Sequence, residues 1–367
     1  MILKGSKPRI FRWFLMSFSM LETSAGRLAV TLLIAGLGGG SFYLMDLPAA
    51  WLSGAMVFVS VAALSGVRTH IPGRVRGVMF FVIGISMGAG VSPDVVERVG
   101  EWPVSMGMLI AVMVSVTYAG YAVLHFGAKW SKEAAYFGAL PGALSYVIAL
   151  ATDRGADLPR IASSQALRLF ILVAVLPFAV VASNGQVEGT AGAGIVSGPV
   201  DLLFGLPLCL AASWFAVKLR VPGGGMTGAF FMSAGLNASG ALVLVLPDFV
   251  ILPCFMMMGA FIGCRFGTMT LRQFVSVLGA SLGAFAAAFL TSLLGAWIVA
   301  ELVHIPFGQA LLAYAPGGLE VMTILAYMLD LDPAFVAAHQ IARFTGMVLV
   351  LPFVTALVLG RNNVSRS

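Results

Sequence analysis

Two arginines lie inside apolar stretches of this 367-residue chain, and they are the residues best suited to chemistry there. Arg168 and Arg343 each lie eight to ten residues beyond the polar start of their segment, which is ~12–15 Å along a helix. A cation that deep in an apolar phase is costly unless it is paired or hydrated. Gln165 and Gln340 precede the arginines by three residues and share their helix faces. The two arginines predict an anion site.

A helix-breaking Pro-Gly pair precedes each arginine in the chain. Proline removes a helical hydrogen bond, so the helix must stop and restart at the pair. The restarted helix presents free N–H groups and a positive dipole end, which also favour an anion. The candidate substrate-binding residues are Arg168, Arg343, Gln165, Gln340, Pro141, Gly142, Pro316, Gly317, Ser145 and Glu320.

Glu320 and His339 are candidates for carrying protons during transport. Glu320 stands where the first Pro-Gly segment has Ser145, and His339 stands where the first arginine segment has Ser164. A buried carboxyl and an imidazole are groups that can exchange protons near neutral pH. The alternative for His339 is a buried polar residue with all its hydrogen bonds satisfied.

The arginine pattern also has a structural interpretation. Arg343 could neutralise Glu320, and Arg168 could cap the carbonyl groups that the Pro-Gly break leaves free. The two glutamines could tie the tips of the breaks in place. The sequence leaves this alternative open beside the anion site.

Other chemistries find little support in the sequence. The histidines are dispersed and lack metal-ligand spacing, and the three cysteines form no CxxC pair. We therefore expect no enzymatic activity, no metal and no cofactor. The net charge of +6 gathers in no soluble basic domain, so no nucleic-acid partner is expected. The positions concerned are His70, His125, His304, His339, Cys209, Cys254 and Cys264.

The composition predicts an all-α polytopic membrane protein. Hydrophobic residues make up 60% of the chain, charged residues 10%, and the mean hydropathy is +1.00. Apolar runs of about 20 residues recur along the whole length, as expected for bilayer-spanning helices. The apolar segments are 28–45, 48–66, 77–92, 103–126, 134–151, 161–182, 201–217, 223–246, 248–264, 273–300, 307–329 and 334–360.

The chain carries the same structural unit twice. The pattern PGAL followed by QALR and PF in the first half recurs as PGGL, QIAR and PF in the second half. Both Pro-Gly pairs, both glutamines and both arginines are related by one constant offset of 175 residues. We therefore expect two membrane repeats, spanning 28–183 and 201–360. A basic arm (1–27), an external linker (184–200) and a cytoplasmic tail (361–367) complete the domain organisation.

The distribution of basic residues predicts opposite orientations for the two repeats. If the Pro-Gly segments enter the membrane and return, 18 of the 21 lysines and arginines fall on one side. With twelve spans, only 12 would do so. The positive-inside bias favours inverted repeats of five spans plus one re-entrant hairpin each, with both termini inside. Kinked full-span helices are the alternative for the Pro-Gly segments. A cleaved signal peptide is the alternative for the basic arm.

The duplicated PGAL/PGGLE and QxxR…PF pattern resembles the bacterial AbrB membrane-protein family, over roughly residues 28–360. That resemblance implies a duplicated membrane domain and a link by name to regulation of gene expression. Many members carry an ammonia monooxygenase label, but this sequence has no copper-ligand cluster to match it. The family supplies no agreed catalytic residues.

The functional hypothesis from the sequence is secondary transport of a small anion, such as a carboxylate, across the bacterial inner membrane. The runner-up is an AbrB-type membrane regulator that acts through a partner or a sensed metabolite, and an oxidase subunit is third. The expected partners are the anionic solute and the lipid bilayer, with homo-oligomer formation left open.

Overall fold

The computed structural model describes residues 23–91, 100, 102–142, 144–184, 197–221 and 223–360. Within these ranges the chain is all-helical, with 14 α-helices and no strand. The helices are α1 (Ser24–Leu44), α2 (Ala50–Leu64), α3 (Gly73–Ala89), α4 (Trp102–Ala122), α5 (Lys132–Ala139), α6 (Leu144–Thr152), α7 (Leu158–Asn184), α8 (Pro199–Lys218), α9 (Gly224–Ala238), α10 (Asp248–Gly263), α11 (Leu271–Val303), α12 (Phe307–Tyr314), α13 (Leu319–Met328) and α14 (Pro333–Leu359). A π-helical turn (Val123–Gly127) continues α4, and a 3₁₀ turn (Cys264–Thr268) continues α10.

Seven of the described helices are long and apolar enough to cross a membrane: α1, α4, α7, α8, α10, α11 and α14. The protein is therefore a multi-pass membrane protein. The other three predicted spans form α2, α3 and α9, which have 15, 17 and 15 residues. At 1.5 Å per residue they reach ~22–26 Å, less than the ~30 Å hydrocarbon core. Seven of the ten predicted spans thus meet the length requirement, and the other three stay predictions.

The predicted span 223–246 is helical only as far as Ala238 because local signals end the helix. Gly240 has φ +68°, a left-handed conformation that glycine adopts without strain at a helix end. The Asn237 side chain then accepts a hydrogen bond from the Leu244 N–H at 3.0 Å. That bond holds the following residues in a non-helical path.

The two Pro-Gly segments are each a pair of short helices separated by a break. The first pair is α5 and α6, and the second is α12 and α13. Gly142 in the first break has φ +92°, a conformation that side chains other than glycine rarely adopt. Neither segment is one continuous helix.

Glycines allow close packing between helices that are distant in sequence. A Cβ atom at Gly84 of α3 would lie 2.9 Å from the Ala229 Cβ of α9. A Cβ atom at Gly263 of α10 would lie 2.9 Å from the Val59 Cβ of α2. Real Cβ atoms essentially never come so close, so only glycine allows these helices to pack at this distance. The packing fixes α3 and α10, whose ends border the site described below.

The first helix begins inside the predicted basic arm. α1 begins at Ser24, and the Thr23 hydroxyl caps it by accepting a hydrogen bond from the Gly26 N–H at 3.0 Å. Residues 24–27 of the predicted arm are therefore the first turn of α1. The rest of the arm, most of the external linker and the tail lie outside the described residues.

Candidate functional site

One cavity of about 610 Å³ collects most of the predicted site residues. Its walls come from both halves of the chain, and its exposed rim includes Gly73, Arg76 and Gly77 of α3. The side chain of Ser145 lies outside the described part of the chain. The other nine predicted substrate-binding residues line the cavity: Arg168, Arg343, Gln165, Gln340, Pro141, Gly142, Pro316, Gly317 and Glu320.

Arg168 extends from α7 to the first Pro-Gly break. Its side chain is 8% exposed, and Nη2 donates to the Leu140 carbonyl at 3.0 Å. Nη1 lies 3.5 Å from the Ala139 carbonyl, at the limit of a hydrogen bond. Nε is buried and has no hydrogen-bond partner among the described residues. The guanidinium therefore donates to carbonyls that the end of α5 leaves free. Its remaining N–H groups, including that of Nε, are available to a ligand.

Arg343 makes the equivalent contacts from α14 to the second break. It is 4% exposed, and Nη1 donates to the Ala315 carbonyl at 2.6 Å. Nη2 donates to the Gly317 carbonyl. The predicted capping role of Arg168 is thus found for both arginines. Because a guanidinium carries five N–H donors, this role leaves others for a ligand.

The two glutamines secure the short helices that lead into the breaks. Gln165 Nε2 donates to the Phe137 carbonyl, and Gln340 Nε2 donates to the Leu312 carbonyl, both at 2.9 Å. Their amide nitrogens are therefore committed to the backbone, as the structural alternative expected. The Oε1 atom of Gln340 is buried without a partner in the described part of the chain.

The charges around the cavity are strongly unbalanced. Four arginines line it, namely Arg76, Arg168, Arg265 and Arg343, against the single carboxylate of Glu320. The formal excess is three positive charges. Arg168 and Arg343 are also close enough to repel each other electrostatically. An anion in the cavity would relieve that repulsion, and the low dielectric would strengthen its attraction.

Glu320 lies in the first turn of α13 and is half-buried. It forms no ion pair within 4 Å among the described residues. The idea that Glu320 directly neutralises Arg343 is therefore wrong. Glu320 is instead close enough to attract Arg265 at longer range. Its carboxylate remains available to the cavity.

His339 does not line the cavity. It is fully buried, with Nε2 2.8 Å from the Ser105 hydroxyl and Nδ1 2.8 Å from the Phe335 carbonyl oxygen. The rings of Trp102 and Tyr314 pack beside it. Both ring nitrogens thus have partners, the arrangement that the sequence alternative describes. The structure does not bring His339 to the predicted anion site.

The sequence analysis missed two cavity arginines, Arg76 and Arg265. Both were counted among the basic residues of connecting loops, because their spacing carries no internal repeat and no glutamine partner. Which way they face depends on the rotation of α3 and the 3₁₀ turn, which no sequence pattern reveals. The glycine run at 223–225 also lines the cavity.

Comparison with known proteins agrees with the resemblance in the repeated motifs. The family model described as "Transition state regulatory protein AbrB" matches residues 15–359. "Putative regulator AbrB" of Escherichia coli (strain K12) is 24% identical over 337 residues, covering 91% of this chain and 96% of that protein. "Uncharacterized protein YhjN" of Bacillus subtilis (strain 168) is 25% identical over 350 residues, covering 87% of this chain and 90% of that protein. Since the family model matches nearly the whole chain, this protein belongs to the AbrB membrane-protein family.

Proposed function

We propose that this protein is a secondary transporter of a small anion, of the carboxylate class, in the bacterial inner membrane. The observation that carries the proposal is the meeting of two buried arginines with two Pro-Gly breaks around one positively charged cavity. Arginine suits this role because its planar fork can bind a carboxylate bidentately. Four arginines beside one carboxylate suit anion binding, so we propose transport rather than enzymatic catalysis.

The proposed architecture is a pair of inverted repeats. Shifting the first seven helices by 175 residues brings each onto one of the last seven. Lys132–Ala139 maps onto Phe307–Tyr314, and Leu158–Asn184 maps onto Pro333–Leu359, without any change in length. One carbonyl acceptor of each arginine (Leu140 and Ala315) and one of each glutamine (Phe137 and Leu312) follow the same offset. Such agreement supports duplication of one structural unit, a common design in secondary transporters.

Contacts along α14 support a re-entrant path for the first Pro-Gly segment. Tyr136 of α5 bonds to Thr355 near the end of α14, while Gly142 lies beside Arg343, twelve residues earlier in that helix. After the break, Arg154 bonds to the Gly360 carbonyl at 2.9 Å. The chain therefore runs up along α14 and back again. A return of this kind supports a hairpin that enters and leaves on one side.

The charge distribution supports the proposed orientation. With both termini inside, the exposed mouth of the cavity at Arg76 faces the cytoplasm, where lysines and arginines concentrate. Non-helical backbone at the breaks is tolerated at membrane depth because it borders a polar cavity. Transport would then require a rocking motion that moves the opening to the other side.

Cysteine labelling tests the inverted architecture. In a variant lacking the three native cysteines, single cysteines at Glu301 and Asp330, on either side of the second hairpin, should react with an impermeant maleimide from the periplasm. A cysteine at Arg154 should react only after the membrane is permeabilised. Both results follow from a hairpin that returns to its own side. Labelling of positions 301 and 330 from opposite sides would remove the hairpin and the inversion together. The native cysteines to replace are Cys209, Cys254 and Cys264.

Ligand stabilisation followed by counterflow tests the proposed activity. We expect small carboxylates to raise the melting temperature of the purified protein, because they supply the charge that the cavity lacks. The best ligand should then exchange across proteoliposomes carrying the protein, and not across protein-free vesicles. The proposal fails if neither carboxylates nor inorganic anions stabilise the protein or exchange.

A second candidate function is regulation of gene expression through a partner or a sensed metabolite. The printed names of the family model and of the Escherichia coli relative favour it, since both call the protein a regulator. The same cavity would then hold a signal rather than a cargo. An anion that stabilises the protein but never exchanges across proteoliposomes would favour this candidate over transport.

A further inference from the structure

A second pair of arginines lies at the mouth of the cavity, separate from Arg168 and Arg343. The guanidinium carbons of Arg76 and Arg265 lie 5.4 Å and 5.3 Å from the centre of the Phe261 ring. Each contact is a cation–π interaction, which holds a guanidinium against the negative face of an aromatic ring. One phenyl ring thus contacts both guanidinium groups at the cavity entrance.

Two helices begin at the same mouth. α3 starts at Gly73 and α9 at Gly224, and neither has a side-chain cap. Both glycines line the cavity that Arg76 and Arg265 also line. Helix starts carry partial positive charge, and here they add to that of two full cations.

The mouth pair and the inner pair together lack counter-charge. In the described part of the chain, none of the four guanidinium groups has a carboxylate within 4 Å. Glu320 alone is available, and it acts on Arg265 from longer range. At the inner pair, the Nε atom of Arg168 is buried without a partner. Each of the two arginine pairs in the cavity therefore needs an anionic group to balance its charge.

Part of the cavity wall is apolar. Phe80, Leu169, Met258 and Phe261 line it, and the rings of Phe80 and Phe261 are packed edge to face at 6.0 Å. Such a wall suits a short hydrocarbon segment better than a hydrated inorganic ion. The volume of about 610 Å³ is within the usual range for small-molecule sites.

We infer that the anion bound by this protein carries two anionic groups, as a short dicarboxylate does. One carboxylate binds Arg168 and Arg343 at the breaks, and the other binds Arg76 and Arg265 at the mouth. The methylene groups between them contact the phenylalanine-lined wall. This inference rests on the proposed anion site and adds the class of its ligand.

Matched ligands provide the test. Binding of the α,ω-dicarboxylates from malonate to adipate is measured against the monocarboxylate of equal carbon number, with the full-length protein in nanodiscs. Phosphatidylcholine nanodiscs exclude anionic headgroups that could occupy the arginines. We expect at least one dicarboxylate to bind about ten-fold more tightly than its partner, because it gains a second charge-assisted contact.

Paired variants locate the second contact. Arg76→Gln with Arg265→Gln should lower dicarboxylate binding about ten-fold more than monocarboxylate binding, and so remove the preference for the dicarboxylate. Arg74→Gln with Arg272→Gln is the matched control, since it removes the same charge at exposed positions outside the cavity. The control should keep the preference. If both pairs of substitutions lowered binding equally, the mouth arginines would act only through their long-range field.

The outcomes distinguish a failure of the dicarboxylate inference from a failure of the proposed anion site. Equal binding of dicarboxylates and monocarboxylates by the natural protein overturns the inference and leaves the anion site intact. A preference that survives the Arg76 and Arg265 substitutions also overturns it. Absence of binding by every carboxylate removes the proposed substrate class and the inference with it.

Discussion

Replacing Arg343 by lysine is expected to weaken carboxylate binding about ten-fold or more while the protein remains folded. Lysine keeps the positive charge but lacks the planar fork, so one ammonium group must serve the break carbonyls and the ligand together. In the structure, the Nη1 and Nη2 atoms of Arg343 already donate to the carbonyls of Ala315 and Gly317. Isothermal titration with the stabilising carboxylate measures the loss directly.

The alanine variant of Arg343 should lose binding by about a hundred-fold or more and should also be less stable. It removes the donor to the Gly317 carbonyl, whereas the Ala315 carbonyl still accepts from the Gly317 N–H at 2.7 Å. A buried carbonyl without a donor costs about 1–3 kcal/mol. Its lower melting temperature should therefore accompany the loss of binding. The lysine variant is the better test, since its fold is expected to survive.

Arg154→Lys serves as the control for these substitutions. Arg154 also donates to a backbone carbonyl of another element, that of Gly360, but it does not line the cavity. Its replacement should leave binding unchanged. A folded variant with lysine at both positions 168 and 343 that binds the carboxylate as tightly as the natural protein would rule out the arginine site.

The inner part of this site could be predicted from sequence, because its residues are energetically unfavourable in apolar segments unless they have a function there. An arginine in an apolar helix and a Pro-Gly pair in an apolar run each cost free energy, and the chain repeats both. These unfavourable features predicted nine of the residues that line the cavity. It could not decide how the guanidinium donors divide between backbone and ligand, which depends on atomic distances.

The mouth of the site could not be predicted for a different reason. Arg76 and Arg265 lie near helix ends, where basic residues are expected for topological reasons alone. Their convergence on Phe261 depends on α3 and α10 packing against helices of the other half. In helices that are apolar on every side, periodicity gives no information about which face meets which neighbour.

The helix ends show a similar limit. Hydropathy predicted a span over 223–246, but Gly240 and the side-chain contacts of Asn237 end α9 early.

His339 was predicted by its type and its distance from Arg343. The structure instead directs its ring toward Ser105 and away from the cavity. Among the two proton-coupling candidates, Glu320 alone is in contact with the proposed ligand space.

Glu320 stands where the first half of the chain has Ser145, so its carboxylate is not duplicated. As the one carboxylate beside four arginines, it lowers the formal excess from four positive charges to three. Protonation of Glu320 therefore raises the positive charge that an anion encounters. If the anion moves together with a proton, its binding should strengthen in acid, and Glu320 should be the group responsible.

Glu320→Gln is expected to uncouple anion movement from the proton gradient. The amide mimics the protonated carboxyl, so the variant should bind the carboxylate in alkaline buffer as tightly as the natural protein does in acid. Counterflow exchange should persist, while accumulation driven by an imposed pH gradient should be lost. The fold should survive, because no ion pair to Glu320 within 4 Å is broken. Glu301→Gln, at an exposed position outside the cavity, should leave coupling intact. Gradient-driven accumulation by the Glu320→Gln variant at the natural rate would show that the coupling proton is carried elsewhere.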